Sequence, residues 1–555
     1  MNKIIYFFRR NIIIFSFFII LAIAFFLRFY KIETAPKSIH LDEIVNGYVG
    51  RFVLTNGVDL YGNQFPLFYF DKFGDYPPVI PMYIQSLGTY LFGFTELGSR
   101  SITALLGCLL LIPVFFIAKM LFKDKRSAIF TMFLAAIIPW QIVFSRTSAE
   151  GIMASFFYLI GLWLMLSYWK KNNIKLLFYA LPFFLFTFFL YPPFRIITSL
   201  TFLPLPLFFF FKKDIKKTVL SIFITMSFFA LLFFIVMSPW GRGRVDQISI
   251  FNIVSGVDIK NKHWIYNDKT PAFITRIFHN KPVGYTREFI KQFFSYYTGM
   301  FLFTDGGGEI THQVPNSGEM YLTVLPLLLL PLFAFFKKKN NGNVDGQLFY
   351  YIIYLSLITS IPGALTVVAV PNPHRAILTG IMLCFITAYG FNTILDIKIK
   401  KIPVTLLVYF LLMIEVVGFM HNYIAHIDLL QFIGTNEGAK EAVLYIKKEQ
   451  HKYKEIYVTG SNYMAIYYLY YAEDVSRELA GKFKIKLILE NYKNLRFIDT
   501  DCAVNKVSEL RSQIKEKVLI VNRGDCVVPE GVSKVATFKA AFGNEAFQAF
   551  VYNPN

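Results

Sequence analysis

Charge is scarce in this chain: Asp, Glu, Lys and Arg make up 17% of its 555 residues. A soluble domain carries about 25%, so an ordinary water-soluble globular protein is excluded. No GxxxxGK[ST] phosphate loop and no GxGxxG fingerprint occurs, which leaves an ATP-driven transporter or a nucleotide-dependent enzyme without support. Cysteine is sparse as well, at four residues, and says little by itself. No internal repeat or low-complexity linker is found. No small-residue cleavage site follows the first apolar run, where the sequence reads Leu27-Arg28-Phe29-Tyr30-Lys31, so that run is expected to be a retained helix and not a cleaved leader.

What is abundant is apolar surface. The chain is 55% hydrophobic and 18% aromatic, with 63 Phe. A membrane span needs about 20 mostly apolar residues, and eleven runs approach that description: 11–27, 101–118, 127–144, 151–169, 176–194, 196–211, 218–240, 320–336, 347–370, 376–395 and 402–420. Internal prolines (Pro182, Pro204, Pro206, Pro326) are tolerable in membrane helices. The net charge of +20 would suggest nucleic acid on a soluble protein. Here the basic residues sit in short loops: Lys3/Arg9/Arg10, 119–126, 170–175, 212–217, 337–339 and 398–401. All six fall on one side if the N-terminus is cytoplasmic, as the positive-inside rule requires. A multi-pass protein of the inner or plasma membrane is therefore expected, with no nucleic-acid partner. On its outer face lie loops 30–98 and 240–318 and everything beyond the last span.

From about Ala425 the composition turns mixed and charged. Gly438–Gln450 and Met464–Tyr471 read as helices; Glu455–Thr459, Val518–Asn522, Lys534–Phe538 and Phe547–Tyr552 read as strands. The expected organisation is an all-α polytopic domain over 1–424 and a small extracytoplasmic α/β domain over 425–555. Cys108 and Cys384 lie in apolar runs. Cys502 and Cys526 share the tail and either pair, if the tail faces an oxidising side, or stay reduced.

Acids near a membrane are expensive unless solvated or paired, which makes them functional candidates. Asp42 and Glu43 begin the first long loop. They either catalyse, one carboxylate taking a proton from an attacking acceptor, or cap the helix that Glu43-Ile44-Val45 suggests. Asp75-Tyr76-Pro77-Pro78 stiffens the entry to a later helix or is a plain turn. Arg146, Arg195 and Arg375 occupy outer tips, where guanidinium groups suit a lipid phosphate or snorkel to head groups. Asp305-Gly306-Gly307-Gly308-Glu309 allows close backbone approach or mere flexibility, and His312 is a proton shuttle, a metal ligand or neither.

The Asp42-Glu43 pair after the first span, the Asp75-Tyr76-Pro77-Pro78 segment, and Ser145-Arg146 ahead of Glu150 together resemble the polytopic GT-C glycosyltransferases. The resemblance is nearest to bacterial relatives of dolichyl-phosphate-mannose protein mannosyltransferases and of lipid A aminoarabinose transferases. It covers residues 20–420, most strongly 41–107 and 144–165. It implies transfer of a sugar from a polyprenyl-phosphate donor to a protein, lipid or glycan acceptor on the outer face, with inversion at the anomeric carbon. By resemblance, Asp42 is the catalytic base and Glu43 its neighbour in the pair. Arg146 and Glu150 lie near the acceptor, His374-Arg375 near the donor phosphate, with Arg195 as a further phosphate ligand. Asp75 and Tyr76 bind substrate. Many relatives have Lys where this chain has Tyr76, and Lys72 is out of register in the sequence. No cofactor is required by the pattern. A divalent metal, Mg or Mn, stays open at Asp42, Glu43 or His312. The alternatives are an oligosaccharide ligase or oligosaccharyltransferase using a lipid-diphosphate donor, and a lipid or sugar transporter.

Overall fold

The computed structural model describes residues 2–251, 256–308, 312–336, 343–428, 437–459, 461–498, 500, 502–504, 516–540 and 543–553. The basic segment 337–339 and Glu309 lie outside them. The chain divides into two compact units, one of residues 1–30 and 103–423, the other of residues 31–102 and 424–555.

The first unit is helical. Among the described residues of the chain, eight helices are long and apolar enough to cross a membrane, and a ninth span results if Lys125–Ile137 and Pro139–Arg146, bent by 49°, are counted as one. By length and composition, eight or nine of the expected eleven are found among the described residues, and each apolar run falls at least partly on a helix. One of the runs gives a short helix, Ile174–Phe188 (15 residues) with Pro182 inside, and another gives Val324–Phe336, with Pro331 inside, which ends at the edge of the described residues. Proline removes a helical hydrogen bond and crowds the preceding turn, and the same chemistry at Pro139 accounts for the bend.

Helices within a membrane gain nothing from hydrophobic exclusion, so close approach and buried polar contacts hold them. A Cβ on Gly390 would lie 1.9 Å from the Leu327 carbonyl oxygen, and one on Gly380 would press into the Trp140 ring. Phe130 stacks on Phe391 at 3.8 Å. Thr359 and Thr379 share a hydroxyl hydrogen bond of 2.9 Å, and the Asn392 amide donates to Ser127 at 2.8 Å.

The second unit joins the first long loop to the tail through one apolar core. Ile44, Tyr48, Phe52 and Phe70 from the loop pack with Ile446, Ile456, Tyr467 and Leu519 from the tail. Tyrosine hydroxyls stitch the two segments: Tyr48 donates to the Asp474 carbonyl (2.6 Å), Tyr467 to the Ile39 carbonyl (2.9 Å) and Tyr470 to the Thr95 carbonyl (2.7 Å). The tail carries a six-stranded sheet: β1 Glu455–Val458, β2 Asn491–Tyr492, β3 Leu495–Phe497, β4 Val518–Arg523, β5 Ser533–Lys539 and β6 Glu545–Tyr552, in the order β2-β3-β1-β4-β6-β5. β1 runs parallel to both neighbours, with Ile456 opposite Leu495 and Leu519. The four expected strands and both tail helices are present, the helices as Ala439–Glu449 and Ser461–Ala472. The short strands β2 and β3 are additional. Cys502 and Cys526 form a disulfide, and Cys108 and Cys384 are free and buried.

Candidate functional site

The candidate residues fall into two constellations, one in each unit. In the second unit, Leu41–Asn56 is a helix that starts at the expected acidic pair. His40 is its cap: the imidazole Nδ1 accepts from the Asp42 amide at 3.2 Å. Asp42 and Glu43 occupy the first turn, where the helix dipole favours negative charge. Their fates then diverge. The Asp42 side chain is 56% exposed and its Oδ1 lies 2.6 Å from Lys72 Nζ. Glu43 is buried, with its Oε2 at 3.0 Å from Arg100 Nε. Arg100 also donates to the carbonyls of Ile32 and Pro36 (2.8 Å each) and Ser38 (2.9 Å). The Glu43–Arg100 pair thereby pins the strap 32–38 that leads into the helix.

Lys72 arrives through a tight turn. Phe73 and Gly74 both have positive φ, 59° and 83°, the pattern of a two-residue turn whose twist suits paired strands. Lys72 and Asp75 exchange main-chain hydrogen bonds across it, and the Gly74 amide donates to the Asp71 carboxylate at 2.9 Å. The hairpin thus places Lys72 beside Asp75-Tyr76, although four positions separate Lys72 and Tyr76 in sequence. Lys72 Nζ reaches Asn46 Oδ1 as well, at 3.5 Å, and its side chain is buried up to the ammonium. The Asp75 carboxylate accepts from the Tyr76 amide at 2.9 Å, and Tyr76 is exposed.

In the helical unit, His374 is the centre. Its ring stacks on Tyr191 (4.5 Å) and Phe144 (5.2 Å). Nε2 accepts from the Gly151 amide at 3.1 Å and lies 4.0 Å from Glu150 Oε2. His312 packs on the same Phe144 ring at 4.8 Å, with its ring 6.3 Å from His374. Glu150, His374 and His312 are therefore brought together. Arg375 is half-buried and donates to Thr366 Oγ1 (2.7 Å) and the Val368 carbonyl (2.6 Å).

The other two arginines lie inside. Arg146 is fully buried, donates to the Leu27 and Arg28 carbonyls (2.9 and 3.1 Å) and lies 4.9 Å over the Tyr423 ring. It caps the end of the first span, since cations suit a helix C-terminus. Arg195 is 7% exposed and donates to the Phe188 carbonyl at 3.0 Å. The glycine loop rests against the His374 segment, the Gly308 amide donating to the Pro371 carbonyl at 2.8 Å. Behind it sits Glu319, fully buried, whose carboxyl is pushed up to about 8 by burial, opposed in part by a hydrogen bond from the Gly307 amide.

Sequence reasoning missed Arg100, His40, Tyr191 and Glu319 as parts of these constellations, and set Lys72 aside as out of register. The Phe73-Gly74 pair was the available signal for Lys72, because a glycine there permits the chain to reverse. Arg100 stands 57 positions from Glu43 and gives no local sign. Among the described residues, no group of three or more His, Cys, Asp or Glu side chains is arranged to hold a metal ion. The donor set at the acidic pair also fits a divalent cation poorly, because Asp42 and Glu43 each already face a cationic side chain.

Taken together, these features define a multi-pass membrane protein, with eight or nine helices among the described residues long and apolar enough to cross a bilayer. Within it, residues 75–241 match the sequence model of the dolichyl-phosphate-mannose-protein mannosyltransferase family. No curated protein matches it in a sequence comparison. Among solved structures, it is similar to the Archaeoglobus fulgidus oligosaccharyltransferase in complex with Zn and sulfate, at 13% identity and a TM-score of 0.46, covering 82% of this chain and 61% of that one. The chain thus spans about three-fifths of the length of that archaeal enzyme. It is also similar to ArnT from Cupriavidus metallidurans bound to undecaprenyl phosphate, at 12% identity and a TM-score of 0.48, covering 96% and 97% of the two chains.

Proposed function

We propose that this chain transfers a sugar from a polyprenyl-phosphate carrier to an acceptor on the extracytoplasmic face, with inversion. The observation that carries the reading is the exposed Asp42 carboxylate at a helix N-terminus, 2.6 Å from a lysine delivered by its own hairpin. A dolichyl-phosphate sugar is the donor named by the family that matches 75–241. A phosphate entering this site competes with Asp42 for the Lys72 ammonium. Once Lys72 turns to the phosphate, the Asp42 carboxylate is free to take the acceptor's proton. The acceptor oxygen or nitrogen then bonds to the anomeric carbon as the bond to the carrier phosphate oxygen breaks. The electron pair leaves on the phosphate, where Lys72 stabilises it. Glu43 acts through Arg100 by positioning the helix start, and Asp75 and Tyr76 line the substrate side of the hairpin.

In the helical unit, Glu150 and His374 are proposed to contact substrate, with Arg375 holding an anionic group. Arg146 and Arg195 serve there by fixing main chain. The membrane orientation follows the lysine-rich loops, with the N-terminus cytoplasmic, and a disulfide in the tail suits an oxidising, extracytoplasmic side. We propose the division into a membrane catalytic domain, 1–424, and a tail, 425–555, as the functional one.

The test is transfer from radiolabelled polyprenyl-phosphate sugars by the full chain in liposomes. Asp42→Asn should remove transfer while the protein remains folded. Normal turnover by that variant would overturn the assignment. Turnover only with lipid-diphosphate oligosaccharide would replace it with the ligase reading.

A further inference from the structure

We infer that the helices Gly256–Asn267, Ala272–Phe278 and Lys281–Ser295 form a platform lying in the lipid–water interface, bound to a bilayer surface that bears anionic head groups. This goes beyond the transfer reaction and does not depend on it. The segment sits between apolar helices, and sequence alone reads it as an aqueous outer loop.

Its placement is fixed at both ends. The Val367 amide donates to the Ile248 carbonyl at 2.8 Å and the Ile250 amide to the Leu365 carbonyl at 2.9 Å. Beyond the third helix, the Tyr296 hydroxyl accepts from the Asn372 amide at 3.0 Å, and Tyr297 donates to the Ser356 carbonyl at 2.6 Å. The platform is thereby tied to the end of the helical unit where Gly346–Ala364 finishes and His374–Thr393 begins. A helix that ends a span meets the bilayer surface at that level.

The distribution of polarity within the platform is reversed from that of a water-exposed fold. Polar residues are buried in its interior along with Val257. Asn261, Thr275 and Gln292 are buried, and the Asn261 amide donates to the Asn280 carbonyl at 3.3 Å. A Cβ on Gly284 would meet the Asn261 amide nitrogen at 2.1 Å. Many large apolar side chains are exposed: Tyr266 is 89% exposed, Phe273 68%, Ile259 and Phe294 61%, Ile277 58% and Trp264 54%. Single exposed hydrophobics need no explanation, but a dense set of them with polar groups inside does.

Charge selects the occupant. Residues 256–294 hold seven Lys or Arg and three Asp or Glu, a net positive charge interleaved with aromatic rings. Tyr and Trp favour the head-group level, and Lys and Arg stems reach from there toward anionic lipid. Helices with this mixture lie in the plane of the interface. A protein partner would have to cover the same aromatic surface and accommodate this positive charge, whereas the membrane already in contact with the spans supplies both requirements.

The experiment uses the full chain in liposomes of phosphatidylcholine with phosphatidylglycerol. Spin labels are attached at Phe273→Cys, Phe294→Cys and Tyr266→Cys, three exposed positions whose replacement removes little packing, and at Lys454→Cys on the tail as an aqueous control. Collision with oxygen should exceed collision with a soluble nickel chelate by at least about threefold at the three platform sites, as for side chains at the acyl boundary, and the ratio should invert at 454. Nickel accessibility at the platform sites equal to that at 454 would overturn the proposal. Labels that are immobile in native membranes yet water-exposed in the liposomes would equally overturn it, assigning the surface to a protein.

Discussion

Arg100 and Glu43 are 57 residues apart in sequence, yet their side chains meet at 3.0 Å with both almost fully buried. Asp42, one position earlier, faces outward onto Lys72. Two adjacent carboxylates thus meet different environments, because the helix turns them to opposite sides. Removing one partner of a buried pair leaves an uncompensated charge, at about 3–5 kcal/mol. Glu43→Ala and Arg100→Met should each lower the unfolding temperature markedly. Asp42→Asn changes a carboxylate that is itself exposed and leaves an amide oxygen to accept from the buried Lys72, so it should lower that temperature less than either change at the buried pair. Thermal unfolding in detergent separates the two cases. Equal effects at 42 and 43 would contradict the division of roles.

Lys72→Ala should weaken binding of the lipid phosphate. A charge-assisted hydrogen bond contributes about 1.5–3 kcal/mol, so KM for the donor should rise by roughly ten- to a hundredfold. Lys72→Arg should recover part of it, since a guanidinium also binds phosphate. A donor titration in liposomes checks this, and an unchanged KM in Lys72→Ala would remove the lysine from the phosphate.

Gly50 lies where the helices Leu41–Asn56 and Ile80–Phe92 touch. A Cβ there would sit 2.2 Å from the Met82 carbonyl oxygen. Main chain cannot yield as a flexible side chain does, so Gly50→Ala should cost about 1–3 kcal/mol. Activity should fall with it, because the same helix presents Asp42. Limited proteolysis of the first loop would register the loosening.

Glu319 gives a pH dependence of defined sign. Burial raises its carboxyl from the ordinary 4.5 to about 8, so the folded protein holds this proton where the unfolded chain has released it. The stabilisation is complete below about pH 4.5 and is lost as pH rises through about 8. Stability measured from pH 5 to 9 should decline across that interval, and Glu319→Gln should flatten the decline. An identical slope in the variant would exclude Glu319 as its source.

The apolar runs and the tail strands could be read from sequence because burial marks them locally, as long apolar runs in the helices and as short, nearly continuous buried runs on β4 and β6. The span count is harder to read, since Pro139 bends one run into two helices and Ile174–Phe188 is only 15 residues long. The union of 31–102 with the tail could not be read. It rests on side chains such as Tyr467 and Tyr470 bonding to Ile39 and Thr95, contacts with no local signature. At the candidate site the position of Asp42 was readable from its neighbours, while its cation was hidden by a turn that only Phe73-Gly74 hinted at. Arg146 and Arg195 looked like surface anion sites because their loops are short and outer. Their guanidinium groups bond main-chain carbonyls instead, a use that side-chain type cannot reveal.

The most direct measurement is mass spectrometry of the lipids that copurify with the wild-type chain and with Asp42→Asn. The account predicts a polyprenyl phosphate carrying a single sugar, enriched in the variant because binding survives while turnover stops. Bulk phospholipid alone in both samples, with no polyprenyl species, would contradict it.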